Sequence, residues 1–412
     1  MRNHTVLIAG AGIAGPALAH QLHRYGFRPT VVERAAAPRS GGHIVDVRGT
    51  ARTVVERMGL VPRIRQAHTG ARGMAFVGAD GKRVAELGTD VFGHSGGPVA
   101  EFALRRTDLA RILHEDVRDD VEHVFGDSIT GVDQREGCVR VTFASGGTRE
   151  FGLLIGADGV HSGVRELVFG PEERYLHDLG CAVAQFSTRT ELDLEGWQLM
   201  HTAVAGGGRP GRTAGLVPLP EPGRVLAGFF WRSAPDPGLR HDTAAQRDLV
   251  ARTFAGDGWR VPEMLAALPG ATDFYFDRIG QVRVNGWARG RTALLGDAAY
   301  CASPMSGIGT SLALVGAHVL AGELAAADGD HHRAYPSYER AMREFVDRAH
   351  AFAQGAGEGG LMPESRRQLR MRNRSVRLVR HLPRRLVARG MERVANSVEL
   401  RDYPQRALRR VA

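Results

Sequence analysis

Cysteine is almost absent from this chain. Cys138, Cys181 and Cys301 are odd in number, scattered and without a C-x-x-C pair. That excludes a disulfide framework and a cysteine zinc site, and it fits a reducing cytoplasm. No H-E-x-x-H occurs, and the adjacent His331 and His332 fall in a polar stretch, so no metal is expected. Lysine is reduced to Lys82 against 53 arginines, and aromatic residues make up only 7%. Apolar runs that are both long and unbroken are missing too. The first 20 residues resemble a secretory leader until Gly10, Gly12, Gly15 and Pro16 interrupt them. Residues 298–322 lack Asp, Glu, Lys and Arg, but Pro304 and its neighbouring glycines and serines forbid one continuous apolar helix. A soluble, cytoplasmic protein with no membrane partner is expected.

What is present is globular in balance: 43% apolar and 24% charged residues over 412 positions, enough for two or three folding units. The net charge of +9 is a property of the tail. Residues 363–412 hold 15 arginines and four acidic residues, leaving 39 basic and 41 acidic groups in the rest. Pro383 and Gly390 interrupt this arginine-rich stretch, and no aromatic residue between Phe352 and Tyr403 is there to stack bases. The tail therefore reads as helices packed over the second domain or at a subunit contact, in a monomer or homodimer without a nucleic-acid partner.

The N-terminus has the pattern of a β-α-β unit: an apolar strand Thr5–Ala9, a helix from Ala14 to about Tyr25 stopped by Gly26, and a strand Thr30–Val32 ending at Glu33. Farther on, a helix is expected from a Thr107 cap to about Val117, followed by strands within 121–126, 138–144 and 151–158. From Cys181 to Ser233 the texture changes to strand-like runs separated by Gly/Pro turns, which suggests an inserted antiparallel sheet. Residues 242–268 look helical, FYFDRIGQVRV is a strand, and TALLGD returns to the first texture. The expected fold is α/β (α+β): a Rossmann-like dinucleotide-binding domain over 1–175 and 286–330, a β-sheet substrate domain over 176–285, and a helical region over 331–412.

Gly10-Ala11-Gly12-Ile13-Ala14-Gly15 fits G-x-G-x-x-G between strand and helix. Gly10 allows the tight turn, Gly12 lets a pyrophosphate approach the backbone, and Gly15 lets helix and sheet pack closely. Glu33 stands 18 residues after Gly15, where a carboxylate can accept hydrogen bonds from ribose hydroxyls. Its charge disfavours a 2′-phosphate, but this motif alone leaves FAD and NAD both open. Near the other end, RTALLGDAAYCASPMSGIG delivers Asp297 from a strand into a loop, and an all-round apolar helix starts near Gly309. A buried helix with its N-terminus at the cofactor offers a fixed partial positive charge, suited to the anion of a reduced flavin.

GAGIAG with Glu33, GADGVHSGVR (residues 156–165) and GDAAYCASPMSGIG (residues 296–309), in that order, resemble the para-hydroxybenzoate hydroxylase-like family of flavin-dependent aromatic hydroxylases. GGHIVDVRG, the Arg106-Thr107-Asp108-Leu109 helix start and GTSLALVGAHVLAGELAA add a closer likeness to the tetracycline-inactivating and polyketide-modifying members. The resemblance spans about Thr5 to Ala327. It implies bound FAD, transient NADPH or NADH, and hydroxylation of an aromatic or polyketide-like small molecule by O₂ through a flavin C4a-hydroperoxide. By that resemblance Gly10, Gly12, Ala14, Gly15, Glu33 and Arg34 hold the adenosine end, and Arg106 reaches the pyrophosphate and ribitol. Asp297 takes the ribitol, Asp46 and Arg48 line the flavin edge, and Pro304, Gly307 and Gly309 form the loop beside it. Asp158 would serve FAD and the nicotinamide encounter, with Arg39 a weaker contact for the latter. The family's chemistry needs no catalytic acid, base or nucleophile, and none is assigned. Gln185, Phe186, Leu216, Phe229 and Trp231 are the expected substrate wall.

The sequence departs from the family where Tyr300 stands in place of His and Thr310-Ser311 in place of Asn. A halogenase would carry W-x-W-x-I-P, and Trp197, Trp231, Trp259 and Trp287 are isolated. An oxidase or reductase that inserts no oxygen is the remaining alternative.

Overall fold

The computed structural model describes residues 4–38, 43–89, 99–206, 209–240, 242–357, 361–379 and 389–403. Arg39 lies outside them. Six strands form the cofactor sheet in the order Ala288–Arg289, Thr292–Leu294, Leu153–Gly156, Thr5–Ala9, Arg28–Glu33 and Glu122–Phe125. The inner pairings are parallel, because each return to the sheet passes over one of its faces. Helix Ala14–Arg24 follows the first strand directly and packs along the buried helix Gly309–Ala326. That second helix is long and apolar enough to span a membrane by composition, but most of it is buried inside the protein.

A seven-stranded sheet stands against this unit in the order Tyr275–Val282, Leu176–Arg189, Arg224–Arg232, Arg212–Pro218, Trp197–Ala203, Gly73–Val77 and Arg83–Gly88. Five of its strands come from the expected substrate region. The last two come from 73–88, inside the segment assigned to the cofactor domain, and Gly73–Val77 pairs parallel to Trp197–Ala203. The boundary at 175/176 therefore does not follow the sheets. A strand joins a sheet by pairing, and sequence distance does not report its partner.

Two helices, Thr243–Phe254 and Val261–Ala267, replace the one pattern expected over 242–268, and they cover one face of the large sheet. The helix expected to start at a Thr107 cap begins at Arg106, with Arg105 preceding it and donating to Asp108 at 2.8 Å. The tail divides between the two halves. Helix Arg366–Val379 lies on the Arg83–Gly88 edge, with Val376 packed among Phe76, Ala85 and Met200. Residues 395–403 instead return to the cofactor half, where Tyr403 fills the space beside Gly322 and Arg401 pairs with Glu323.

Candidate active site

Glycines bring the three sequence motifs into direct contact. Gly10 has φ of 104°, and a Cβ added there would stand 2.5 Å from the Ala157 carbonyl oxygen. A Cβ on Gly15 would come within 1.9 Å of the Gly10 carbonyl oxygen, and one on Gly296 would meet Ala14 at 3.1 Å. Such contacts exclude side chains, leaving a bare backbone cradle at the start of helix Ala14–Arg24. Arg106 reaches this cradle, since a Cβ on Gly12 would lie 3.2 Å from its Nη2. Glu33 closes the adjacent strand end by accepting from the amides of Ala11 and Ala35, both at 2.9 Å. Arg34 beside it is exposed.

Asp297 opens the short helix Asp297–Tyr300, and its carboxylate lies close to Gly309, the first residue of the buried helix. The residue is exposed, yet its surroundings of protein raise the carboxyl pKa, with Arg106 partly offsetting the effect. A carboxylate so placed stands in a recess and not on an outer surface. Ahead of the buried helix, Ser303 holds φ of 83° and Gly307 is left-handed at 61°. A non-glycine residue kept in such a conformation costs on the order of 1–3 kcal/mol, and such strain clusters at ligand-binding loops. Pro304 between them is exposed.

Asp158 is more local than the resemblance implies. It accepts from the Ser162 hydroxyl and, at 3.1 Å, from the Val164 amide, so its carboxylate fastens the start of helix Gly163–Phe169. Burial raises its pKa. Arg165 in the same motif received no role from the sequence, and it ties the second motif to the third. Its buried guanidinium donates to the Ala298 carbonyl at 3.1 Å and to Glu172 at 3.1 Å. Asp46 and Arg48 form an ion pair next to the Gly307 loop. Arg48 is 1% exposed, donates to Asp46 at 2.5 Å, and lies next to Gly307, while Ser311 bonds its backbone at 3.0 Å.

The large sheet needs the main correction. Phe186, Leu216, Phe229 and Trp231 are all buried against Val250, Phe254 and Met264 of the two covering helices. Phe229 and Trp231 meet the Phe254 ring edge-on at 4.7 and 5.8 Å. These four residues are core, and the expected wall lies one position out of phase. Successive strand residues face opposite ways, so Gln185 cannot share a face with Phe186. Gln185 lies opposite Tyr275 and Gly228 on the other face, with Phe230 opposite Thr213, and that face carries Cys181 and Val183 against Met305 and Met362. Polar residues at one parity, Gln185 and Ser187 against Ala184 and Phe186, were the available signal.

Sequence reasoning also missed four residues at the junction of the two sheets. Tyr275 is 41% exposed, and burial nonetheless pushes its hydroxyl well above the usual tyrosine range. Its ring faces His43 at 6.4 Å, and burial together with Arg106 lowers the His43 imidazole to a pKa of about 4, so it is neutral. Asp277 accepts from the Tyr275 hydroxyl at 2.8 Å and from His161 Nε2 at 3.3 Å. Hydrogen bonds to Asp277 and Glu172 raise His161 to about 9. A groove of about 770 Å³ beside helix His331–Gly357, lined by Tyr335, Glu339 and Arg343 among others, includes none of these residues.

Bare glycine backbone before a helix, a strand-end carboxylate and a recessed Asp297 at a second helix start fit an FAD molecule. The comparisons agree with that chemistry. The model of a family described as FAD binding domain matches residues 3–353. An uncharacterized protein of Mycobacterium tuberculosis is 41% identical over 350 residues, 84% of this chain and 91% of the relative. A flavin-dependent monooxygenase of Legionella longbeachae is 36% identical over 363 residues, 88% of this chain and 91% of the relative. Among solved structures, the tetracycline destructase Tet(51) superposes with a TM-score of 0.83 at 32% identity, over 98% of this chain and all of that one.

Proposed function

The chain belongs to the FAD binding domain family and is an FAD-dependent monooxygenase of the para-hydroxybenzoate hydroxylase-like kind, and from that premise we propose that it hydroxylates an aromatic or polyketide-like small molecule using NADPH or NADH and O₂. The observation that carries the reading is the contact of the three motifs, Gly10 with Ala157 and Gly296 with Ala14, next to the strand Tyr275–Val282 that pairs with Gln185. Bound there, FAD supplies the two-electron chemistry by which O₂ is split between product and water.

In this proposal Gly10, Gly12, Ala14 and Gly15 leave room for the pyrophosphate, with Arg106 supplying positive charge. Glu33 takes the adenosine ribose, with Arg34 at its outer edge, and Asp297 takes the ribitol. Pro304, Gly307 and Gly309 present the loop and helix start to the ring, supported by Asp46 and Arg48. The substrate occupies the space bounded by Gln185, Val217 and Phe230 on the sheet and Met305 on the loop. Val217, Phe230 and Met305 are partly buried apolar groups, and Gln185 is a nearby amide that can fix orientation. Exclusion of water is the protein's other task, since water wastes the activated oxygen.

The test is to purify the protein with FAD, supply NADPH or NADH, and offer tetracycline and 1,8-dihydroxyanthraquinone as polycyclic phenols. Ligand-stimulated nicotinamide oxidation with a product one oxygen heavier is expected. Stoichiometric hydrogen peroxide with oxidised but unoxygenated product would establish an oxidase instead.

A further inference from the structure

Tyr275 and Asp277 are two residues apart on the edge strand of the large sheet and therefore share a face. The strand faces the GADGVHSGVR loop, and His161 of that loop completes an unbroken chain of hydrogen bonds. The Tyr275 hydroxyl is 2.8 Å from Asp277 Oδ2, and Asp277 Oδ1 is 3.3 Å from His161 Nε2. His161 Nδ1 is 2.9 Å from Glu172 Oε2, and Arg240 contacts the other Glu172 oxygen at 3.0 Å. One end, Tyr275, is itself 41% exposed and opens on the recess with His43 and Arg106, where bound FAD would cover it. The other end is half-exposed: the His161 side chain is 37% accessible and Arg240 is 50%.

We propose that Tyr275, Asp277 and His161 conduct a proton from solvent to the active-site recess, with Tyr275 as the group that delivers it. The proposal rests on the monooxygenase reading. Substrate, O₂, a nicotinamide hydride donor and one proton become hydroxylated product, oxidised nicotinamide and water. The hydride supplies two electrons and one hydrogen, and the remaining hydrogen must enter as a proton. Once bound FAD fills the recess and keeps water out, that proton needs a path.

The transfers balance without any further reactant. The Tyr275 O–H bond breaks toward an acceptor in the recess. A proton on the Asp277 carboxyl replaces it, and His161 Nε2 supplies that carboxyl, which turns between its two partners. Solvent then reprotonates His161, and Tyr275 and Asp277 end as they began. The charges around the path suit this direction. His161 faces Asp277, Glu172 and Arg240, and the two carboxylates hold it protonated at neutral pH. Glu172 is also met by Arg165. Burial alone would push Asp277 up, but His161 and the Tyr275 hydroxyl hold it below the ordinary value. Tyr275 faces Asp277, His43 and Arg106 and keeps its proton until an acceptor is present.

The experiment compares wild type with Tyr275→Phe, Asp277→Asn and His161→Gln, each loaded with FAD and reduced by dithionite without oxygen. Reoxidation by O₂ forms hydrogen peroxide and also takes up one proton, so no substrate is needed. Flavin absorbance is followed from pH 6 to 10 in H₂O and D₂O. Wild type should hold a constant rate until His161 loses its proton near pH 9. Each variant should be slower by about tenfold or more at pH 7, without that pH limb, and imidazole should restore His161→Gln. Independently of turnover, the His161 ring resonances should titrate near 9 in wild type and nearer the free value in Asp277→Asn. Variants that bind FAD and reoxidise with the wild-type rate, pH profile and isotope effect overturn the path, even if they melt earlier, because then the three residues only clasp the two sheets together. Failure of the wild-type protein to bind FAD overturns the cofactor reading instead.

Discussion

The two faces of the seven-stranded sheet are built from the same strands and do different work. On one face Phe186, Leu216, Phe229 and Trp231 interlock with the helices over 243–267, each at most 2% exposed. On the other, Gln185, Val217 and Phe230 remain partly open, Phe230 near Met305 and Leu361 and Val217 near Phe76 and Met200. Register joins the two sets. Phe229 sits opposite Ala184 and Ala214, while Phe230 sits opposite Val183 and Thr213. A shift of one residue would exchange the sets, so the packed face fixes which side chains the substrate meets. Stability is invested in one parity and specificity in the other.

Truncating neighbours of opposite parity breaks this comparison most forcefully. Trp231→Ala or Phe229→Ala should cost about 3–5 kcal/mol of unfolding free energy, because a large side chain leaves a cavity in a covered core. Phe230→Ala should cost roughly 1–2 kcal/mol, since its ring already loses part of its contact to the recess. Gln185→Ala should leave the urea midpoint in place and reduce kcat/KM by about 1–1.5 kcal/mol, near tenfold, through a lost hydrogen bond. Equal destabilisation by Trp231→Ala and Phe230→Ala would mean that both faces are core, and the recess would have to lie elsewhere.

The contrast in legibility follows the same division. GAGIAG, Glu33 and GDAAYCASPMSGIG could be read because each function depends on local geometry: a turn, a helix start, a strand end. Even the contact of Gly10 with Ala157 follows once both motifs are assigned to one cradle. The sheet was readable as a sheet but not as two faces. In RVLAGFFW both parities carry apolar residues, so alternation gave no phase and Phe186 was grouped with Gln185. The two strands from 73–88 were invisible for a related reason, since pairing across more than a hundred residues leaves no local mark. His161, the Tyr275/Asp277 strand and His43 come from three separated segments, and only their meeting gives them meaning. The pairing of Arg48 with Asp46 was not legible, because a sequence shows a charge but not its partner.

A smaller effect sharpens the cofactor side. Gly15→Ala places a Cβ within 1.9 Å of the Gly10 carbonyl oxygen, which no flexible side chain can relieve. The loop must shift, at about 1–3 kcal/mol for overpacking, and FAD should bind roughly ten- to a hundredfold more weakly by fluorescence titration. Gly12→Ala meets only the end of Arg106, at 3.2 Å, and should lose less. If Gly12→Ala were the more damaging of the two, close approach of the ligand, and not helix packing, would control the cradle.

The smallest effect lies where the two sheets meet, and pH reveals its sign. His161 has its pKa raised to about 9 by Asp277 and Glu172. A histidine raised in the folded state binds its proton more tightly there, so its stabilisation is complete below the unfolded value of about 6.5 and is lost as pH climbs through 9. The ring is more than a third accessible, and solvent screening reduces the gain to about 1 kcal/mol or less. The unfolding free energies of wild type and His161→Gln should therefore differ most at pH 6, converge between pH 6.5 and 9, and coincide above that range. A difference that persisted undiminished at pH 10 would assign the stabilisation to neutral hydrogen bonds, and the junction would then owe nothing to the charge on His161.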